Sequence, residues 1–366
     1  MTPALERDNG VDGAPLGPAR TIAVALGCLA ASLFFFSPRL WLMRSYVAGS
    51  FQWTRARTFL LQCAHPFRTD VEAAMQWRLL PPVVCRLLRL PGDTALLVPW
   101  LGVIAVTVYA AVILRRQRPG LSFVAGGTLL FAASSAVLVP TGWLGMNDGW
   151  AWIGLLAVSF GRSRLAVPAA CMLGPWVDER FLLALPLAWI VRCQDRSEPV
   201  FSRSLAQLFW LAPYAAARVG SDLGLLAHRG GQSFFRGEAW ELVHRAPYVP
   251  IAWWMALRAA WVPVCAALWL APSPGRRAAL GLALAATLLV GPAVAADMSR
   301  SAAMVVPVLL LGCLELDRRL PGRAPQALLL LGAANLLIPA AHVVLDKVDL
   351  ISPLPIELLR LFRIAP

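Results

Sequence analysis

The chain is nearly without lysine and poor in charge of any kind. Lys347 is its one lysine, and Asp, Glu, Lys and Arg together make up 14% of 366 residues. A water-soluble domain of this length needs far more polar surface, so this scarcity points to a polytopic helical membrane protein. The preference for arginine reads as a high-GC coding habit. Strictly alternating apolar patterns are also missing, which argues against a β-barrel. No repeat of roughly twenty to fifty residues marks a solenoid. The seven cysteines include no Cys-x-x-Cys pair, which argues against a metal or redox centre. Cys28, Cys171, Cys265 and Cys313 sit in apolar runs as packing residues, whereas Cys63 and Cys85 share one loop, where a disulfide is an option.

Several catalytic signatures are absent as well. No Gly-x-x-x-x-Gly-Lys-[Ser/Thr] loop is present, which argues against an ATP-driven pump, and no His-Glu-x-x-His marks a zinc protease. A Gly-x-Ser-x-Gly elbow is lacking too. The formal charge of +13 suggests nucleic acid in a soluble protein. Here the arginines read instead as topology signals and lipid-headgroup contacts, and no nucleic-acid partner is expected.

What is present is a 58% hydrophobic chain with mean hydropathy +0.65. Its most informative stretch is Pro175-Trp176-Val177-Asp178-Glu179-Arg180-Phe181, three charges inside an apolar run from Leu165 to Val191. Ionisable groups in hydrocarbon cost roughly 3 kcal/mol or more and commonly mark a cavity or a substrate path. Arg162 and Arg164 precede the run, and Arg192 and Arg196 follow it. Both ends therefore face the cytoplasm, and Asp178-Glu179-Arg180 lies at a hairpin tip. Two further double runs share this design. One carries Gly145-Met146-Asn147-Asp148-Gly149 at its middle, the other Asp297-Met298-Ser299-Arg300. Three tips with an aspartate, two of them with an arginine, suggest one membrane face that collects carboxylates and guanidinium groups.

The fold expected is an all-α polytopic bundle of about eleven helices, near 20–43, 94–114, 121–140, 149–161, 165–177, 180–192, 204–219, 249–272, 278–296, 302–316 and 327–345. Residues 1–19 read as a disordered cytoplasmic tail, 20–345 as a single transmembrane domain and 346–366 as a short C-terminal segment. Ile22 to Phe36 lacks a small-residue cleavage site and reads as a retained first helix. Two long outer segments follow, 44–93 and 220–248. Within the first, leucine pairs alternate with arginines through Arg78, Arg86 and Arg89, as in an amphipathic helix lying in the interface. These outer arginines bind anions at the membrane surface, or else the orientation is inverted. The connector 140–150, with no basic residue, favours the first.

Arginines suit a phosphate, because the guanidinium fork matches its oxygens and keeps its charge. Carboxylates suit a general base or a divalent ion. Together they suit a phosphorylated lipid and a hydroxyl acceptor. On Thr69-Asp70-Val71-Glu72, Arg78-Leu79-Leu80-Pro81 and Val177-Asp178-Glu179-Arg180, and on its topology, the chain resembles the GT-C glycosyltransferases. The resemblance covers most of the chain in layout and only these pieces in sequence. It implies a polyprenyl-phosphate-linked sugar as donor, a glycan, lipid or protein as acceptor, and a place in a bacterial inner or plasma membrane with the N-terminus in the cytoplasm. By analogy, Asp70 is the base and Glu72 its substitute, while Asp178 orients the acceptor or holds a metal. Arg180 or Arg300 receives the departing phosphate, and Arg78, Asp148, Asp297, Glu179 and His244 complete the substrate site. No particular cofactor is implied, and a divalent metal ion is left open. Asp70 follows the first helix at a greater distance than is common in that family.

Each residue also has a plainer role open to it. Asp70 suits a helix N-cap, Glu179 and Arg180 suit mutual pairing, and Asp297 with Arg300 suits a local i,i+3 ion pair. His342 reads as a hydrogen-bonded helix residue. Two other functions compete. A polysaccharide polymerase or ligase would depend on Arg218, His228, Arg229, His244 and Arg245. A lipid-carrier flippase or solute transporter would line a path with the charged tips.

Overall fold

The computed structural model describes residues 15–40, 51–71, 73–201, 203–226, 245–294 and 297–362. The protein is mostly helical, and its helices fall close to the expected runs. Four helical stretches are long and apolar enough to cross a membrane: Pro18–Phe35, Gly92–Gln117, Ala246–Trp269 and Met298–Arg319. A fifth forms if Leu121–Ala132 and Ser135–Gly142, bent by 52° at Ala133-Ser134, act as one span. The expectation of about eleven crossings is not supported. Asp148–Phe160, Ala166–Val177 and Ala324–Leu337 have 13, 12 and 14 residues, about 20 Å of helix against the ~30 Å of a hydrocarbon core. Asp148–Phe160 is mostly buried in the bundle, whereas Ala166–Val177 and Ala324–Leu337 pack against their neighbours on one face and leave the other exposed.

Small residues let these helices approach closely. A Cβ on Gly149 would lie 2.3 Å from the Gly102 backbone, so Asp148–Phe160 and Leu97–Gln117 touch main chain to main chain. A Cβ on Gly312 would lie 1.8 Å from the Pro263 carbonyl oxygen, which brings Val306–Arg319 against Trp261–Trp269. The stretch 298–319 is almost wholly enclosed by the other helices.

Three helix breaks meet around Arg258. The stretch 246–269 is interrupted there, and Arg258 itself has φ +52°, a strained conformation for a residue with a Cβ. Its fully buried guanidinium donates to the carbonyl of Ile338 at 2.9 Å and to that of Ala133, each at the end of a broken helix. It also stacks over Phe36 at 4.5 Å. Asn335 Oδ1 accepts the Ala259 N–H at 3.0 Å. Non-helical backbone at membrane depth must find its partners inside the protein, and this arginine supplies them.

The expected helix 327–345 stops at Leu337, before Pro339. The chain then forms an antiparallel hairpin, Ala340–Val344 with Lys347–Ile351, so the fold is not purely α. A two-residue turn, with Leu345 at φ +54°, joins the strands. Proline removes a helical donor, and the β-branched run after it favours extension. His342 therefore lies on a strand.

An arm built from Phe51–Ala64, Leu80–Leu87 and Gly92–Leu96 has a small core of its own, formed by Phe59, Cys63, Cys85, Ala95 and Val98. The exposed Leu87 and Leu88 stand beside Arg86 and Arg89. Such a side-by-side display of leucine and arginine fits an interface.

Close helix contact yields a direct test. Gly312→Ala should destabilise the protein by about 1–3 kcal/mol, through overpacking against Pro263. Gly27→Ala, with nothing within 4 Å, should be neutral or mildly stabilising. Thermal unfolding of the two variants in detergent distinguishes them, and equal transitions would refute the close packing.

Candidate functional site

The three tips converge. Gly145, at φ +78°, turns the chain into Asn147 and the first residue of Asp148–Phe160, which places the Asp148 carboxylate in the interior. Asp178 ends Ala166–Val177 in extended conformation, and Arg180 starts the next helix. The Asp178 carboxylate accepts the Arg180 backbone N–H at 3.0 Å, so the tip closes on itself. Asp297 precedes the helix Met298–Ala302, which carries Arg300 one turn on.

Their side chains form one buried ion cluster. Arg180 donates to Asp178 through Nε at 2.9 Å and Nη2 at 2.6 Å, and through Nη2 to Asp148 at 2.7 Å. Arg300 donates to both oxygens of Asp148, by Nη2 at 2.7 Å and by Nε, and through Nη1 to Asp297. Arg300 Nη2 also lies 3.6 Å from Asp178 Oδ2. From the arm, Arg78 Nη1 reaches Asp178 at 3.4 Å. Arg55, buried on Phe51–Ala64, lies within electrostatic reach of Asp297. Three aspartates thus face Arg78, Arg180 and Arg300, and Arg55 adds a further positive charge. Among the described residues, the buried Arg180 Nη1 and Arg78 Nε have no hydrogen-bond acceptor.

Around this cluster lie groups with distinct chemistry. Ser299 Oγ accepts the Val343 N–H at 3.0 Å and lies 3.0 Å from His342 Nδ1. A serine proton donated to Nδ1 leaves the ring proton on Nε2, which faces Asp297 Oδ1 at 3.6 Å. The His342 ring packs edge-on against Trp143 at 4.6 Å, and the Arg39 guanidinium lies over that indole at 4.6 Å. On the opposite flank, Glu179 pairs with Arg218 and accepts the Tyr214 hydroxyl at 2.9 Å, all through Oε1. Its Oε2 has no partner among the described residues. Trp77, Trp176 and Tyr214 pack together beneath Arg218, which stacks over Trp77 at 4.6 Å.

The sequence-derived site divides accordingly. Asp148, Asp178, Arg180, Asp297, Arg300 and Arg78 share the cluster, and Glu179 lies at its edge. The local pair Asp297 with Arg300 exists, but Arg300 also binds two distant aspartates. Glu179 pairs with Arg218 and not with Arg180. Asp70 stands apart: it is exposed, and Arg68 donates to it at 2.6 Å through Nε and again through Nη2. Those hydrogen bonds hold its carboxyl down at about 2. Glu72, His228, Arg229 and His244 lie outside the described residues. Arg55, Ser299, Tyr214 and His342 are neighbours of the cluster that the sequence reading did not place in the site. Arg55 had a usable signal, since it shares the buried stripe of Phe59, Gln62 and Cys63 at helical spacing.

A divalent ion does not fit this donor set. Each clustered aspartate already faces a guanidinium, and among the described residues no three His, Cys, Asp or Glu side chains group to hold a metal. A cavity of about 470 Å³ lies elsewhere, between His65, Phe67 and Arg68 on one side and Val83, Arg86 and Leu87 on the other.

Charge pairing in the interior is strong only while it is complete. Asp148→Asn or Arg300→Met leaves a buried charge unpaired and should cost about 3–5 kcal/mol. Asp70→Asn, at an exposed pair, should leave the unfolding transition unchanged. Denaturation of the three variants in one detergent checks both statements.

Comparison of the chain with family models, with curated proteins and with solved structures finds no match.

Proposed function

We propose that the protein is an integral membrane glycosyltransferase of the GT-C kind. It moves a sugar from a polyprenyl-phosphate donor to a hydroxyl acceptor at the extracytoplasmic face. The observation that carries this reading is the convergence of three hairpin tips on one arginine-rich cluster with donors to spare. Among the described residues, Arg180 Nη1 and Arg78 Nε are buried guanidinium donors without acceptors, and a buried donor left unpaired costs free energy. Phosphate oxygens match such donors in charge and geometry. The apolar helices beside the cluster suit a substrate that arrives through lipid.

In the reaction, the acceptor oxygen attacks the anomeric carbon as the bond from that carbon to the phosphate oxygen breaks. The phosphate leaves with the electron pair, a base takes the hydroxyl proton, and the configuration inverts. Phosphate is a good leaving group, so the protein's work is positioning and stabilising the departing charge. Arg78 is the cation for that task, since it comes from the arm and has spare capacity. Arg180 and Arg300 hold the aspartates and set the field.

Two carboxylates compete for the base. Asp70 has the place that the GT-C resemblance assigns, yet a carboxyl near 2 is a weak proton acceptor. Glu179 lies against the cluster with one oxygen engaged and the other without a partner among the described residues.

Transfer from a labelled polyprenyl-phosphate sugar, measured in nanodiscs, tests the proposal. Arg78→Gln should reduce turnover by roughly 10²–10³-fold. Loss of the base should cost roughly 10²–10⁴-fold. A loss confined to Glu179→Gln assigns the base there, and one confined to Asp70→Asn assigns it to Asp70. Full transfer by Arg78→Gln would remove the phosphate role. Movement of the lipid between leaflets without transfer would favour a flippase.

A further inference from the structure

Cys63 closes the helix Phe51–Ala64, and Cys85 lies on Leu80–Leu87. Both side chains are buried, at 8% and 1% exposure, in the same small core with Phe59, Ala95 and Val98. Both are free thiols, and the two helices that carry them pack against each other around that core. No other pair of cysteines shares a core cluster by itself in this way among the described residues. The chain between them carries Trp77 and Arg78, the residues that bring the arm onto the ion cluster.

We propose that Cys63 and Cys85 form a disulfide in the mature protein, which staples the arm in the position that delivers Arg78 to Asp178. This inference rests on the extracytoplasmic placement of the arm given above, because disulfides persist in oxidising compartments and are rare in the cytoplasm. The bond forms by thiol–disulfide exchange. One thiolate attacks the disulfide of an extracytoplasmic thiol oxidant, and the second thiolate displaces the mixed disulfide. The two cysteines lose two protons and two electrons, and the oxidant leaves as a dithiol. Once the core has closed, burial shields the bond from reductants, so oxidation accompanies folding of the arm.

The full-length protein is extracted with an alkylating reagent present, denatured, and weighed with and without prior reduction. The expected result is five alkyl groups before reduction and seven after it, from the seven cysteines of the chain. A peptide joining Cys63 to Cys85 should appear only in the unreduced sample. Cys63→Ser should give six groups in both samples. Seven groups before reduction, or a linked peptide with any other pairing, overturns the proposal. A separate readout checks the placement. Arg57→Cys, at an exposed position of the same arm, is made in a Cys63→Ser/Cys85→Ser background and treated with a membrane-impermeant maleimide on whole cells. Seven groups with outside labelling mean that the disulfide alone fails. Seven groups without labelling mean that the outer placement fails with it.

Discussion

Everything near the candidate site depends on the pairing of three aspartates, two buried and one partly buried, with three arginines. Asp148, Asp178 and Asp297 come from segments far apart in the chain, and none is stable in the interior without a cation. Arg300 binds Asp148 with two of its nitrogens and Asp297 with the third, which ties the first hairpin tip to the last. Arg180 does the same between Asp148 and Asp178. In a low-dielectric interior these bonds are strong when complete and costly when broken, so the cluster selects one arrangement of the tips. The close contact at Gly149 is what allows Asp148 to reach its place.

Arg258 shows a different solution to the same physical problem. Among the described residues it has no carboxylate partner, and it satisfies carbonyls exposed where helices break. The breaks at Ala133, Arg258 and Ile338 shorten the helices around it. Buried guanidinium groups thus serve two purposes in this fold. One set neutralises aspartates at the hairpin tips, and the other repairs the backbone. Among the described residues, Arg78 Nε and Arg180 Nη1 in the first set and Arg258 Nε in the second are buried without an acceptor.

Much of the site was legible before the fold. Charges inside apolar runs are costly, so Asp148, Asp178-Glu179-Arg180 and Asp297 with Arg300 stood out against their surroundings, and the basic flanks of each run implied hairpins. The partners were less legible. Nothing in local spacing distinguishes Arg180 as the partner of Glu179 from Arg218 as that partner, because the second lies on another helix. Asp70 was conspicuous beside an acidic neighbour in a segment that reads as an outer loop, yet it pairs with Arg68, two residues away. His342 sat in an apolar run that continues a helical pattern, and Pro339 was the local sign that the helix ends.

The sequence by itself determined that the chain is helical and apolar, where its hairpin tips fall and which of its charges are exceptional. These properties follow from composition and from the transfer cost of each residue, which are local. Tertiary structure alone decided how many helices are long enough to span, which aspartate meets which arginine, and that Cys63 and Cys85 share one small core. Those outcomes depend on breaks repaired from a distance and on contacts between segments far apart in the chain. A guanidinium satisfies any carboxylate or carbonyl within its reach, and only the packing of the helices determines which one that is.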